Sequence, residues 1–186
     1  MDTLLRHPFI LLVTGAMLSG LIIPLITRDW QNRQKSLEIK TGLVAEISEA
    51  VMEFFMSIQF VHIRKEIRRN PPIAVTPQEQ AEFDQAYKAW EVRSAVIGTK
   101  LQAYFPESNI PKKWTAFSDV LIRFYALEGI AEPQLPGSMS SLANQISATL
   151  SYALPESATY LQLREAILQS KADIISAVLQ TRISLS

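Results

Sequence analysis

Three carboxylates, Glu46, Glu49 and Glu53, recur at spacings of three and four residues, which on a helix brings them to one face. Oxygen ligands in such a row are what a hard divalent cation binds. The rest of a metal site is missing. Helical di-metal centres add Glu-x-x-His pairs, and the chain contains none. The three glutamates also lie opposite an apolar stripe on their own helix, so the expectation is a solvated face and no metal.

His62 is the second candidate, as a base or a ligand. It falls within about 40° of that same stripe at 100° per residue, where a lone histidine is expected as a hydrogen-bonded core residue. The third is the basic run Arg64, Lys65, Arg68 and Arg69, which suits lipid headgroups or a nucleic acid. On a straight helix it stands about 60 Å beyond Arg28, far outside the roughly 8 Å over which a membrane's surface potential decays. Cations in a last helical turn also complement the helix dipole, so neither ligand is expected. Eighteen basic residues balance eighteen acidic ones, and that leaves no global field to attract polyanions.

Other chemistry is excluded by what is absent. There is no HExxH, Walker loop, GxGxxG or GxSxG. With no cysteine and two histidines, thiol nucleophiles, disulfides and thiolate metal sites are all ruled out. The aromatic rows Phe83, Trp90, Tyr104 and Trp114, Phe117, Phe124 occur at helical spacing and are expected as core. No catalytic residue, cofactor or enzymatic activity is expected.

The element that would position the candidates begins upstream. Pro8 to Thr27 are twenty residues without a charged side chain, the length needed to cross a hydrocarbon core about 30 Å thick. Arg28 and Trp30 follow, as the membrane interface favours. A cleaved signal peptide would have a shorter apolar region. Arg6 precedes the segment, whereas Arg28, Arg33, Lys35 and Lys40 follow it, so the positive-inside rule directs the C-terminal domain to the cytoplasm. Pro24 predicts a slight kink. Gly15 with Ser19 and Ala16 with Gly20 form small-xxx-small pairs that permit close helix approach.

From Asp29 to Arg69 the chain has no proline. Leu37, Val44, Val51 and Ile58 alternate with Ile47, Phe54 and Val61 in a heptad stripe that predicts coiled-coil-like packing. A second stripe, Met52, Met56, Phe60 and Ile63, makes the helix apolar on two sides. That predicts a central helix covered by later helices of this chain or by copies of itself. Asn70 to Thr76 break the chain, and Thr76-Pro77-Gln78-Glu79 reads as a capping box. Helices are then predicted to bury Phe83, Tyr87, Trp90, Ile97, Leu101 and Tyr104; then Trp114, Phe117, Leu121 and Phe124 from Ile110 to Glu128. A shorter helix from the N-cap Ser138 buries Leu142, Ile146, Leu150 and Leu154 and stops at Pro155. The last, from Ser157 to about Ile183, buries Leu161, Leu168, Ile175 and Leu179.

The predicted class is all-α: one N-terminal transmembrane helix running into a long heptad-patterned helix, then a bundle of about four further helices. The segments are a tail (1–7), the span (8–28), the long helix (29–69), a linker (70–76), and a bundle (77–186) that the long helix completes. Expected partners are the lipid bilayer of a cell (inner) membrane and either a second copy or another helical protein. The expected role is a protein interaction or scaffold module. A ligand-sensing bundle is the alternative.

Overall fold

The computed structural model describes residues 8–68, 76–129, 139–150 and 159–183. All regular elements among them are helical: α1 (Pro8–Met17), a π turn (Leu18–Ile22), α2 (Ile23–Arg68), α3 (Pro77–Tyr104), α4 (Ile110–Gly129), α5 (Met139–Leu150) and α6 (Tyr160–Gln180). The chain divides into two compact units, Met1–Gly42 and Leu43–Ser186. Ser138, Leu154, Pro155, Ser157 and the break at 70–75 lie outside the described residues.

In the first unit the uncharged stretch is shared among α1, the π turn and the start of α2, rather than forming one regular helix. Pro24 explains the interruption. It lacks an N–H, and its ring meets the carbonyl four residues back, at Gly20; the π turn around Gly20 relieves that clash. No helix among the described residues is both long and apolar enough to cross a membrane.

In the second unit α4 is the hub, making close backbone approaches to α3, α5 and α6. Its predicted face is the one buried: Trp114, Phe117, Leu121 and Phe124 are all at most 1% exposed. The capping box that opens α3 is present, with the Thr76 amide donating to Glu79 Oε2 at 2.9 Å and the Glu79 amide to Thr76 Oγ1 at 3.3 Å. Trp90, Ile97 and Leu101 of α3 are buried as predicted, and Phe83, Tyr87 and Tyr104 are half-buried. Leu142 and Ile146 of α5 are likewise buried.

Two predicted faces change. In α6 the buried set is Leu163, Ala166, Ile167, Ser170, Ile174 and Val178, whereas Leu161 and Leu179 are exposed and Leu168 and Ile175 half-buried. The small side chains Ala166 and Ser170 lie on the buried face and let α6 come close to its neighbours; the Ser170 hydroxyl is satisfied by Ala166 O at 2.8 Å. The start also moves, because Thr159 and Gln162 form a second capping box. In α2, Ile47, Val51, Phe54 and Ile58 are buried within the chain's own bundle, Val44 and Val61 are half-buried, and Leu37 is exposed. The second stripe is not covered: Met52, Met56, Phe60 and Ile63 are 41–59% exposed. The two stripes stand about 170° apart on the helix, so the bundle encloses one of them only.

The α6 register is open to direct measurement. Ile167→Ala should cost about 2–5 kcal/mol by leaving a cavity, while Leu161→Ala should stay within about 0.5 kcal/mol. Denaturant titrations showing the reverse order would disprove this register.

Candidate interaction surface

The surface is built on a two-faced α2. Its inner face is held by aromatic rings. Phe54 stacks on Trp90 of α3 (centroids 4.8 Å, planes 9° apart) and meets Tyr125 of α4 at 4.7 Å. Tyr125 stacks on Phe83 at 4.1 Å, and Trp90 leads through Trp114 to Phe117. Two ring polar groups tie the stack to α3 backbone. Tyr125 donates to Phe83 O at 2.8 Å, and Trp114 Nε1 to Ser94 O at 2.9 Å. Gly98 lies beside that indole, where a Cβ would come into van der Waals contact with Trp114 Cδ1 at 3.4 Å. The Trp90 N–H is buried with no hydrogen-bond partner.

Charges line the α2–α3 seam. Lys100 holds Glu46 through both carboxylate oxygens at 2.7 and 2.8 Å. Arg93 pairs with Glu53, and Arg64 with Glu82 at 3.1 Å and Glu79 at 3.7 Å. Seven residues forward on α2, from Glu46 to Glu53, match seven backward on α3, from Lys100 to Arg93; eleven more on each helix bring Arg64 to Glu82. This is the ladder of an antiparallel pair, and its sign reverses at one end. A slip that set Arg64 against Arg93 would oppose like charges, so the ladder selects register. Exposed pairs of this kind stabilise by less than about 1 kcal/mol each.

The sequence candidates are redistributed accordingly. Glu46 and Glu53 remain solvent-accessible, with side chains 36% and 60% exposed, while pairing with basic residues of α3; Glu49 is exposed and does not join the ladder. Among the described residues no group of acidic or histidine side chains is arranged to hold a metal ion. His62 stacks on Tyr160 of α6 at 3.7 Å, and Tyr160 in turn meets Phe124. Of the basic run, Arg69 and the Arg68 side chain lie outside the described residues, Arg64 serves the ladder and Lys65 donates to Leu127 O at 3.1 Å. That places a cation on a last-turn carbonyl of α4, favourable to its dipole. Arg28, Trp30, Gly15, Ala16, Ser19 and Gly20 belong to the first unit; Arg28 and Trp30 are exposed, and an added Cβ at Gly15 or Gly20 meets nothing within 4 Å.

What remains open is the outer row Met52, Met56, Phe60, Ile63 and Ile67, 41–68% exposed. Beside it runs a groove of about 290 Å³ between α2 and α3, walled by Met56, Phe60, Val61, Phe83 and Ala86 and rimmed by Arg64, Glu79 and Glu82. The Arg64 guanidinium sits 5.0 Å over the Phe60 ring. The row carries no charge over four turns and lies next to that groove. Four of its five residues form the second stripe expected to be covered by later helices of this chain or by copies of itself, and no later helix covers them; Ile67, not foreseen, continues their spacing. No family of known proteins, no curated protein and no solved structure matches this chain.

Tyr125 supplies a pH test of the inner face. Burial, and to a lesser degree the charge of Asp84, push its phenol well above the usual range near 10. The hydrogen bond to Glu91 raises Tyr87 as well. The folded chain therefore holds the Tyr125 proton more tightly than the unfolded chain. The associated stability is complete below pH 10 and is lost as the pH climbs above it. Tyr125→Phe should cost about 1 kcal/mol at pH 7 by removing the hydrogen bond to Phe83 O, and should flatten the alkaline loss. Parallel alkaline limbs in wild type and variant, from denaturant midpoints between pH 7 and 11, would show that this phenol is not the titrating group.

Proposed function

We propose that this chain is a single-pass membrane protein, anchored by residues 8–28, whose helical domain is a protein interaction module on the cytoplasmic side of a cell membrane. The observation that carries the anchor is its surface. Leu12, Val13, Met17, Ile22, Ile23, Leu25 and Ile26 are 41–71% exposed, with no charged side chain among the twenty residues from Pro8 to Thr27. Apolar surface on that scale is stable in lipid and costly in water.

The interruption at Leu18–Ile22 is compatible with lipid. Hydrocarbon tolerates a helix only while its backbone groups stay bonded, and a π turn keeps them bonded around a proline. The hydroxyl within that turn is also satisfied internally, since Ser19 Oγ donates to Gly15 O at 2.7 Å. Trp30 and Arg28 stand where the interface begins. The orientation follows the excess of Arg28, Arg33, Lys35 and Lys40 over Arg6. Arg33 pairs with Asp29 at 3.1 Å, but the rule counts basic residues rather than net charge. The domain's contribution is the outer row of α2, a surface for a partner and not a set of reacting groups.

Alkaline carbonate should leave the full chain in the membrane pellet, and deletion of residues 8–27 should release it. Since the chain has no cysteine, Gln102→Cys gives a single reporter that should react with an impermeant maleimide only after the membrane is opened. Release of the intact chain by carbonate would defeat the anchor; labelling in sealed cells would reverse the orientation.

A further inference from the structure

We infer that the occupant of the outer α2 row is a second copy of this chain, packed in parallel, with Phe60 of each copy seated in the α2–α3 groove of the other. The parallel sense rests on the membrane reading above, in which each copy is anchored through the N-terminal end of α2.

Spacing is the first support. Met56, Phe60, Ile63 and Ile67 follow one another at four, three and four residues, the a/d spacing of a coiled-coil seam, and Met52 lies one turn before it on the same side. Surface area is the second. Five large apolar side chains at 41–68% exposure leave on the order of 500 Å² open, at the upper limit of what monomers carry. A stable interface covers about 800 Å² per partner, so the row alone falls short. Seating it in the adjacent groove adds the walls formed by Phe83, Val61 and Ala86, and the groove's 290 Å³ accommodates one aromatic side chain. Ridge and groove share Met56 and Phe60, so one patch supplies both halves of a two-fold, self-complementary contact. Confinement to a membrane then raises the effective concentration of a seam too short to pair strongly in bulk water.

The absence of native cysteine makes crosslinking clean. Full-length Met56→Cys and Ile63→Cys, oxidised in native membranes, should each form a homodimer, at least about tenfold more than the exposed control Val92→Cys. Adding Phe60→Glu to Met56→Cys should cut that dimer several-fold, and Phe60→Leu should keep it. Circular dichroism should be the same for both, since Phe60 is 59% exposed. A Met52→Cys and Ile67→Cys mixture that crosslinks between copies, in place of the Met56 homodimer, would overturn the parallel arrangement. Crosslinks to a protein of different mass would overturn self-association and leave the interaction module standing. No crosslink along the row, from a chain still held in the carbonate pellet, would overturn the inference and spare the anchor. Row homodimers from a chain that carbonate releases would do the opposite for the anchor.

Discussion

The domain depends on how Phe54 is held. Its ring lies against Trp90 and Tyr125, and through them the contacts reach Phe83, Trp114 and Phe117, so six aromatic side chains join α2, α3 and α4 without a gap. Rings of this size bury large apolar areas but tolerate only offset or tilted contact. The hydroxyl of Tyr125 and the indole N–H of Trp114 then find acceptors on α3. That geometry forces Ile47, Val51, Phe54 and Ile58 inward on α2 and, with equal necessity, turns the row from Met52 to Ile67 out. The open surface is therefore a consequence of the core and not an independent feature.

Electrostatics refines this arrangement more than it stabilises it. The ladder from Glu46–Lys100 through Glu53–Arg93 to Arg64–Glu82 follows the antiparallel pairing of α2 with α3, and its sign reversal penalises a slipped alignment. Its members are too exposed to contribute much each. Lys65 acts likewise at the end of α4. Thus Glu46, Glu53, Arg64 and Lys65, which looked available for cations, headgroups or nucleic acid, pair with other helices, and the outer row of α2 stays uncharged.

Much of the architecture was legible in the sequence. Helix type, the capping box at Thr76 and the Trp114, Phe117, Leu121 and Phe124 row of α4 follow from spacing and cap chemistry, which act within a few residues, whereas Val120 and Tyr125, equally buried on α4, were missed. Some features were legible but missed. Thr159 and Gln162 carry the same capping signature as Thr76 and Glu79, three residues apart. Pro24 announced a distortion, though not that it would become a π turn at Leu18–Ile22. The candidate site was half legible, since its residues were visible as a second apolar stripe while their exposure was not.

The sequence by itself determined that the chain is helical, that Thr76 opens α3, and that an uncharged segment of twenty residues lies near its start. These are properties of neighbours along the chain. Only the tertiary structure decided which of two apolar stripes α2 buries, which face of α6 turns inward, and that Glu46, Glu53, Arg64 and Lys65 serve other helices. Periodicity shows that a helix has an apolar side, but when it has two, the choice falls to the shapes that meet it. On α6 the small residues Ala166 and Ser170 won over the larger Leu161 and Leu168, and on α2 the ring of Phe54 won over Met56 and Phe60.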